Sequence, residues 1–274
     1  MRELGYIEGQ NIAIEYRYTE GNRDRQREHA AELARLPVDV IFATSATIAL
    51  VAKNATRTIP IVFLSAAEPV ASGLVDSLAR PGGNLTGFAT IAGELTGKRL
   101  ELLKETVPKL SRVAVMWEPK NLGSEESWKE SQLAARQLRL HIHSMEVSSS
   151  DKFENAFRVA TKSRSNALAV TLSGLFNSHQ NLIGSLSVKH RIPAIYTSER
   201  FVDNGGLMSY GADEDEPFKR IASMIAKILK GTKPADLPVE QPKKFEFIIN
   251  LKAAKQIGLT IPPNVLVRAD KVIK

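Results

Sequence analysis

The chain predicts an α/β protein of two Rossmann-like lobes, each with a parallel central sheet. Three observations carry that expectation. Residues 38–43 (VDVIFA) and 61–64 (IVFL) are apolar runs, broken only by Asp39. A strand apolar on both faces has to be covered on both, as in parallel sheets with helices above and below. Between them lies a helical stretch, with Ile48, Leu50, Val51 and Ala52 on one side and Lys53 and Arg57 at its end, so the three form a strand–helix–strand unit. This alternation pauses near residues 90–96 and then restarts, and 274 residues exceed the usual single domain.

Residues 1–10 (MRELGYIEGQ) read as the last turn of a helix, stopped at Gly5, and a turn at Gly9. Residues 11–18 (NIAIEYRY) alternate apolar and polar, the pattern of a half-covered strand. Residues 22–36 predict an amphipathic helix capped by Asn22, with Ala30, Ala31, Leu33 and Ala34 facing inward. After the opening unit come a short helix over 70–78, a turn at Pro81-Gly82-Gly83-Asn84, and a strand over 85–89. The second series predicts helices over 97–107, 124–138, 151–162 and 175–190, alternating with strands over 113–117, 141–147, 167–172 and 193–196, and a last short strand over 207–210. A helix over 216–230, striped by Ile221, Met224, Ile225, Ile228 and Leu229, stops at Gly231. A proline-punctuated segment, a strand over 245–249, a short helix over 251–257 and a tail complete the chain.

The composition, 43% hydrophobic and 24% charged, is that of a globular chain, and no run of 18 apolar residues would span a membrane. The net charge of +7 is spread over helix faces with only short clusters such as Lys243-Lys244, so nucleic-acid binding is not expected. The absence of cysteine excludes disulfides, thiolate catalysis and Cys-ligated metals. The first residues contain no apolar segment of an export signal.

Enzyme signatures are missing. No G-x-G-x-x-G follows a strand, no phosphate-binding loop precedes Thr96-Gly97-Lys98, and no G-x-S-x-G elbow occurs. His141 and His143 share a strand face without a third ligand type nearby, and His29, His179 and His190 read as surface residues on helices, so neither a metal nor a cofactor is expected. Glu214, Asp215 and Glu216 suit the positive end of the helix that begins there. What remains is a set at predicted strand ends: Thr44, Ser45, Thr47, Ser65, Glu68, Thr90, Trp117, Ser173, Phe176, Tyr196, Tyr210 and Asp213. In open α/β sheets ligands bind beyond the carboxyl ends of the strands. Hydroxyls, a carboxylate or two and aromatic walls are the parts of a pocket for a small zwitterion with an apolar side chain.

Several stretches resemble one family. LGYIEGQNIAIEYR, LPVDVIFATSATIALVAKNATRTIPIVF, SGLVDSLARPGGNLTG, GKRLELLKETVPKLSRVAVMW, HRIPAIY, FVDNGGLMSYGAD, the stretch from KILKGTKPADLP to IGLTIPP and the final VLVRADKVI are similar, in order, to ABC transporter substrate-binding proteins of the tryptophan/tyrosine type. The resemblance implies a type I periplasmic-binding-protein fold, with two lobes joined by a multi-strand hinge and closing on a solute in their cleft. It places residues 1–91 and about 211–250 in lobe 1 and 92–210 in lobe 2, with 251–274 crossing or packing between them. It implies a monomeric receptor, periplasmic or envelope-anchored, that serves an ABC permease and its ATPase.

The resemblance also implies roles. Thr44-Ser45, with Thr47 nearby, and Ser65-Ala66 hold a carboxylate; Asp213 pairs with an ammonium; Trp117, Phe176 and Tyr196 wall the side chain. Glu68 and Thr90 complete the expected contacts, with Glu68 standing where many relatives carry Asp. Relatives have an export signal, a strand and a ligand-contacting loop before the helix that ends in LGYIEGQN. That strand is expected between those near Ile14 and Val40, so its absence predicts two unpaired strand edges. The rival readings are the ligand-sensing lobes of a DNA-binding regulator, for which neither end has room for a helix-turn-helix segment, and a Rossmann-like enzyme.

Overall fold

The computed structural model describes residues 1–19, 22–213 and 215–274. It divides into two compact units, Met1–Thr90 with Asp215–Pro242 and Ile91–Glu214 with Lys243–Lys274.

In the first unit, helix α1 (Arg23–Leu33) is capped by the Asn22 side chain, which accepts from the N–H groups of Asp24 and Arg25. Strands β1 (Ile41–Ala43) and β2 (Ile61–Ser65) are joined through helix α2 (Ala46–Ala55), and β3 (Leu85–Ala89) completes a three-stranded parallel sheet in the order β1-β2-β3. Val62 and Phe88 pack under helix α9 (Asp215–Leu229), whose Ile221, Met224 and Ile228 form the stripe the sequence predicts. Glu214, expected in the first turn of that helix, lies outside the described residues. Gly87 allows β3 to lie against β2, because a Cβ there would fall 2.2 Å from the Phe63 carbonyl oxygen. Thr86 Oγ1 donates to the Leu237 carbonyl at 2.7 Å, and Glu240 bonds along β3 through Gly87 O and Ala89 N, so the returning chain covers that sheet edge.

Three local expectations for this unit are corrected. Residues 11–18 form no strand: Ile12 makes an isolated bridge to Glu8, while Ile14, Tyr16 and Tyr18 are exposed. Alternation marks a strand only where a neighbour takes up its backbone groups, and among the described residues this segment has none. Among the described residues β1 is likewise bonded on one side only, by β2, and Phe42 is 38% exposed rather than covered on both faces. Residues 69–74 are a series of turns rather than a helix, with Gly73 at φ 74°.

The second unit opens with α3 (Thr96–Thr106), β4 (Arg112–Trp117), α4 (Leu122–Gln137), β5 (His141–Glu146), α5 (Phe153–Lys162) and β6 (Ala167–Val170). The helix expected over 175–190 is two, α6 (Gly174–Asn177) and α7 (Gln180–Lys189). Then follow β7 (Ala194–Tyr196), α8 (Glu199–Asp203) and β8 (Met208–Ala212), and after the excursion into the first unit β9 (Phe245–Asn250), α10 (Leu251–Ile257), α11 (Pro263–Leu266) and β10 (Lys271–Ile273). The seven strands run β10-β9-β8-β7-β6-β4-β5, parallel except for β8 against β9. Alternate side chains of β4 feed two cores. Val113 and Val115 join Leu100, Leu103 and Ala135, whereas Ala114 and Met116 join Phe153, Phe157 and Ile183.

The boundaries differ from those expected. Strand β9 belongs to the second unit's sheet, and the tail completes that unit: Ala253, Ala254, Ile261 and Val265 enter its core. Phe247 and Asp270 exchange two bonds of 2.8 Å, which sets β10 beside β9. Apolar residues spaced over α10 and α11 need a core, and the exposed face of the sheet supplies one.

Candidate functional site

The carboxyl ends of β1 and β2 carry the expected anion-binding residues of the first unit. Thr44 is exposed just past β1. Ser45 caps α2, its Oγ accepting from Ile48 N–H at 3.3 Å, so its own proton stays available for donation. The N–H groups of Ala46 and Thr47 belong to the first turn of α2, where no carbonyl of the same helix can accept them. That end of the helix favours a negative group.

Ser65 is fully buried, and its hydroxyl donates to the Ala67 carbonyl at 2.7 Å. It shapes the turn after β2 and has no proton left for a ligand. Ala66 is partly exposed beside it. The Glu68 carboxylate accepts from the Ala71 N–H and so closes the turn that replaces the expected helix. Thr90 N–H donates to the Ser65 carbonyl at 2.8 Å, which brings the ends of β2 and β3 together, and its Oγ1 is buried without a partner among the described residues.

In the second unit the aromatic residues lie deeper than a ligand wall. Phe176 and Tyr196 are fully buried in the core that faces α5 and α7, with Tyr196 stacked on Phe201 at 4.6 Å and its hydroxyl donating to Ser187 Oγ at 3.0 Å. Burial raises the Tyr196 phenol to about 12. Trp117 is partly buried, stacked on Trp128 of α4 at 5.6 Å, and its indole N–H donates to Ser144 Oγ at 2.8 Å. Tyr210 gives its backbone carbonyl to Arg99 at 2.8 Å, and Asp213 is exposed after β8. Glu246, paired with Lys244 at 2.8 Å, is the main cause of that ammonium's raised pKa, with Asp270 and then Asp213 adding less.

Of the polar cluster at the ends of β4, β6 and β7, the sequence set includes Ser173 but not Glu118, Ser124, Thr171, Thr197 or Ser198. Glu118 N–H donates to Ser124 Oγ at 2.7 Å; Ser124 Oγ lies 2.7 Å from Thr171 Oγ1; Thr171 donates to the Met116 carbonyl at 3.0 Å. With the Thr171 proton so committed, Ser124 is the donor between them, and the relay clamps the end of β4 to β6. The Glu118 side chain is partly buried, and burial pushes its carboxyl above the usual range, opposed by a hydrogen bond from Ser173. Ser173 in turn accepts from Phe176 N–H at 3.1 Å. At the end of β7, Thr197 Oγ1 and Ser198 Oγ are buried without partners among the described residues. A carboxylate directly after the apolar run 113–117 is the signal that would have found Glu118.

The sequence matches the ABC transporter substrate binding protein family over residues 1–273. It is similar to a tyrosine-binding protein of Clostridioides difficile, 26% identical over 259 residues that make up 94% of this chain and 74% of that one. Among solved structures it is similar to a conserved domain protein of Vibrio cholerae, with a TM-score of 0.90 and 26% identity over 99% of this chain and 90% of that one. An ABC domain of Streptococcus pneumonia in complex with L-Trp superposes with a TM-score of 0.86 at 25% identity, covering 96% and 90%. The fold is that of the type I periplasmic binding proteins.

Proposed function

Because the chain belongs to the ABC transporter substrate binding protein family, we propose that it captures a small carboxylate-bearing solute, most favourably an aromatic or branched apolar amino acid, and delivers it to an ABC permease and its ATPase. The observation that carries this reading is that one relative is a tyrosine-binding protein and another holds L-Trp, each matched over more than nine-tenths of this chain. The family is one of receptors, so the chain binds without transforming. Such a receptor works as a monomer outside the cytoplasmic membrane, in the periplasm or anchored to the envelope.

The strand ends supply suitable chemistry. In the first unit, the Thr44 and Ser45 hydroxyls, the first turn of α2 with Thr47, and the backbone at Ala66 would hold the carboxylate, with Ser65, Glu68 and Thr90 shaping the turns around it. In the second unit Trp117, stacked on Trp128, would flank the side chain, while Phe176 and Tyr196 pack in the core on the other face of the sheet. The ammonium needs a carboxylate, and that unit carries Asp213 and Glu118 just after β8 and β4.

Calorimetric titration of the protein with L-tryptophan, L-tyrosine, L-leucine, ribose and adenosine monophosphate tests the reading. At least one of the amino acids should bind, and at 100 times its Kd should stabilise the fold by about 2.7 kcal/mol. Binding of ribose or the nucleotide, with no heat from any of the three amino acids, would overturn it.

A further inference from the structure

In the second unit the carboxyl ends of β4, β6 and β7 carry uncompensated polar groups; Ser165 and His190, ahead of β6 and β7, also hold buried polar atoms without partners among the described residues, but away from the strand ends where ligands bind. The Glu118 backbone is held by Ser124, and its carboxyl lies near Ser173, which opposes the rise that burial causes and itself accepts from Phe176 N–H. No cationic side chain among the described residues is paired with that carboxylate, and burial disfavours its charge. In β-sheet register Met116 stands beside Val170, and Ala169 beside Ile195, so the end of β7 is two strands from the end of β4, about 10 Å. There Thr197 and Ser198 are 6% and 3% exposed, and both hydroxyls lack partners among the described residues. Ser198 precedes α8 but makes no side-chain cap to it.

Buried polar groups are nearly always satisfied, because each one left unpaired costs stability. A desolvated carboxylate and two orphaned hydroxyls gathered at the end of a sheet where ligands bind are groups that a ligand would complete. Asp213 is a poorer candidate: it is exposed, and the Lys244 ammonium is near it. We propose that Glu118, its carboxylate steadied by Ser173, is the acceptor for the ammonium group of the solute, and that the hydroxyls of Thr197 and Ser198 meet other polar atoms of the same molecule. This rests on the receptor reading above and names the residue that selects amines within it. A solute ammonium would supply the missing counter-charge, in a setting where such pairs are strong because water is excluded. Ser173 is then a positioning residue, acting through the carboxylate it holds.

The test titrates wild type, Glu118→Gln, Glu118→Asp, Ser173→Ala and Asp213→Asn with L-tryptophan, L-tyrosine and indole-3-propionate, which lacks the ammonium. Glu118→Gln should lose about a hundredfold in affinity for the amino acids, with little change for indole-3-propionate. Glu118→Asp should retain part of the affinity, Ser173→Ala should fall between the two, and Asp213→Asn should change it less than about threefold. Wild-type affinity in Glu118→Gln, or equal losses for the amino acids and the desamino analogue in a variant that still melts cooperatively, would overturn the proposal. If wild type binds neither aromatic amino acid, the same variants are titrated with L-leucine, the other amino acids and putrescine, and the ligand reading fails by itself only where no aromatic or branched apolar amino acid binds. A bound amine that ignores Glu118→Gln, or no bound amine at all, then overturns the role of Glu118.

Discussion

Arg99 of α3 donates through Nε to the carbonyl of Tyr210 at 2.8 Å, and through Nη1 to the carbonyl of Ala92 at 2.9 Å. Ala92 and Tyr210 lie close to where the chain first enters and first leaves the second unit, so one side chain fixes both segments. The guanidinium is 5% exposed, and burial lowers its pKa to about 10, which still leaves it charged at neutral pH. Because its folded pKa lies below the unfolded value of 12.5, its contribution to stability changes only above about pH 10, where stability rises as the buried charge is relieved.

Arg99→Met keeps the length of the side chain and removes both donors. Two buried carbonyls would then lose a charged partner, at roughly 1–3 kcal/mol each. Urea unfolding at pH 7 should show a loss of about 2–5 kcal/mol with an unchanged slope. A variant within 0.5 kcal/mol of wild type, roughly the size of an ordinary surface substitution, would show that water replaces the guanidinium at both carbonyls.

Gly211 of β8 has no room for a side chain. A Cβ there would lie 1.9 Å from the Thr197 carbonyl oxygen, a backbone atom that cannot rotate away. Gly211→Ala should therefore cost at least about 1–3 kcal/mol through displaced strands, and should also weaken solute binding by moving Thr197 and Ser198. Gly174→Ala is the control, since nothing lies within 4 Å of its Cβ position. Similar melting temperatures for the two variants would mean that β8 shifts freely against the end of β7.

Most of the architecture was legible because buried parallel strands leave a signal in sequence order. The runs at 38–43 and 61–64 became β1 and β2, and the stripe of Ile221, Met224 and Ile228 became the buried face of α9. Residues 11–18 misled because alternation describes one strand, whereas a sheet is a property of two. Phe42 misled for the same reason: its neighbours decide whether it is covered, and β1 is bonded on one side only. In the site, hydroxyls at strand ends were legible, but their commitments were not. Ser65 looks like Ser45 in sequence, yet one is consumed by the Ala67 carbonyl and the other keeps its proton. Tyr196 and Phe176 sit in the core although their places at strand ends suit a pocket wall equally well, because only packing separates the two uses of an aromatic residue there.

The carboxyl of Glu118 has a folded pKa above the ordinary value of 4.5, chiefly because of burial. The folded state therefore binds the proton more tightly than the unfolded chain, and stability falls as pH rises from that value through the folded pKa. Glu118→Gln keeps an acceptor for Ser173 and removes the titration. In the absence of solute it should melt above wild type at pH 7–8, and the difference should shrink as the pH is lowered through the carboxylate range. Calorimetric melting at several pH values reads this directly. A variant that melts below wild type at pH 7 would mean that the ionised carboxylate is stabilised by something other than Ser173.

Ser45 offers a way to separate capping from binding. Its hydroxyl accepts from Ile48 N–H, so Ser45→Ala should cost about 1 kcal/mol in stability whether or not the residue touches solute. Ser45→Asp is more informative. Aspartate caps helices as well as serine does, and its charge suits the N-terminus of α2, so stability should be kept or slightly raised. The same charge would face the carboxylate that we place at this helix end, and like charges brought together there oppose binding. Affinity for L-tryptophan should fall more than tenfold in Ser45→Asp, while its melting temperature without solute matches or exceeds that of wild type. If Ser45→Asp binds as wild type does, the solute carboxylate is held elsewhere and Ser45 serves α2 alone.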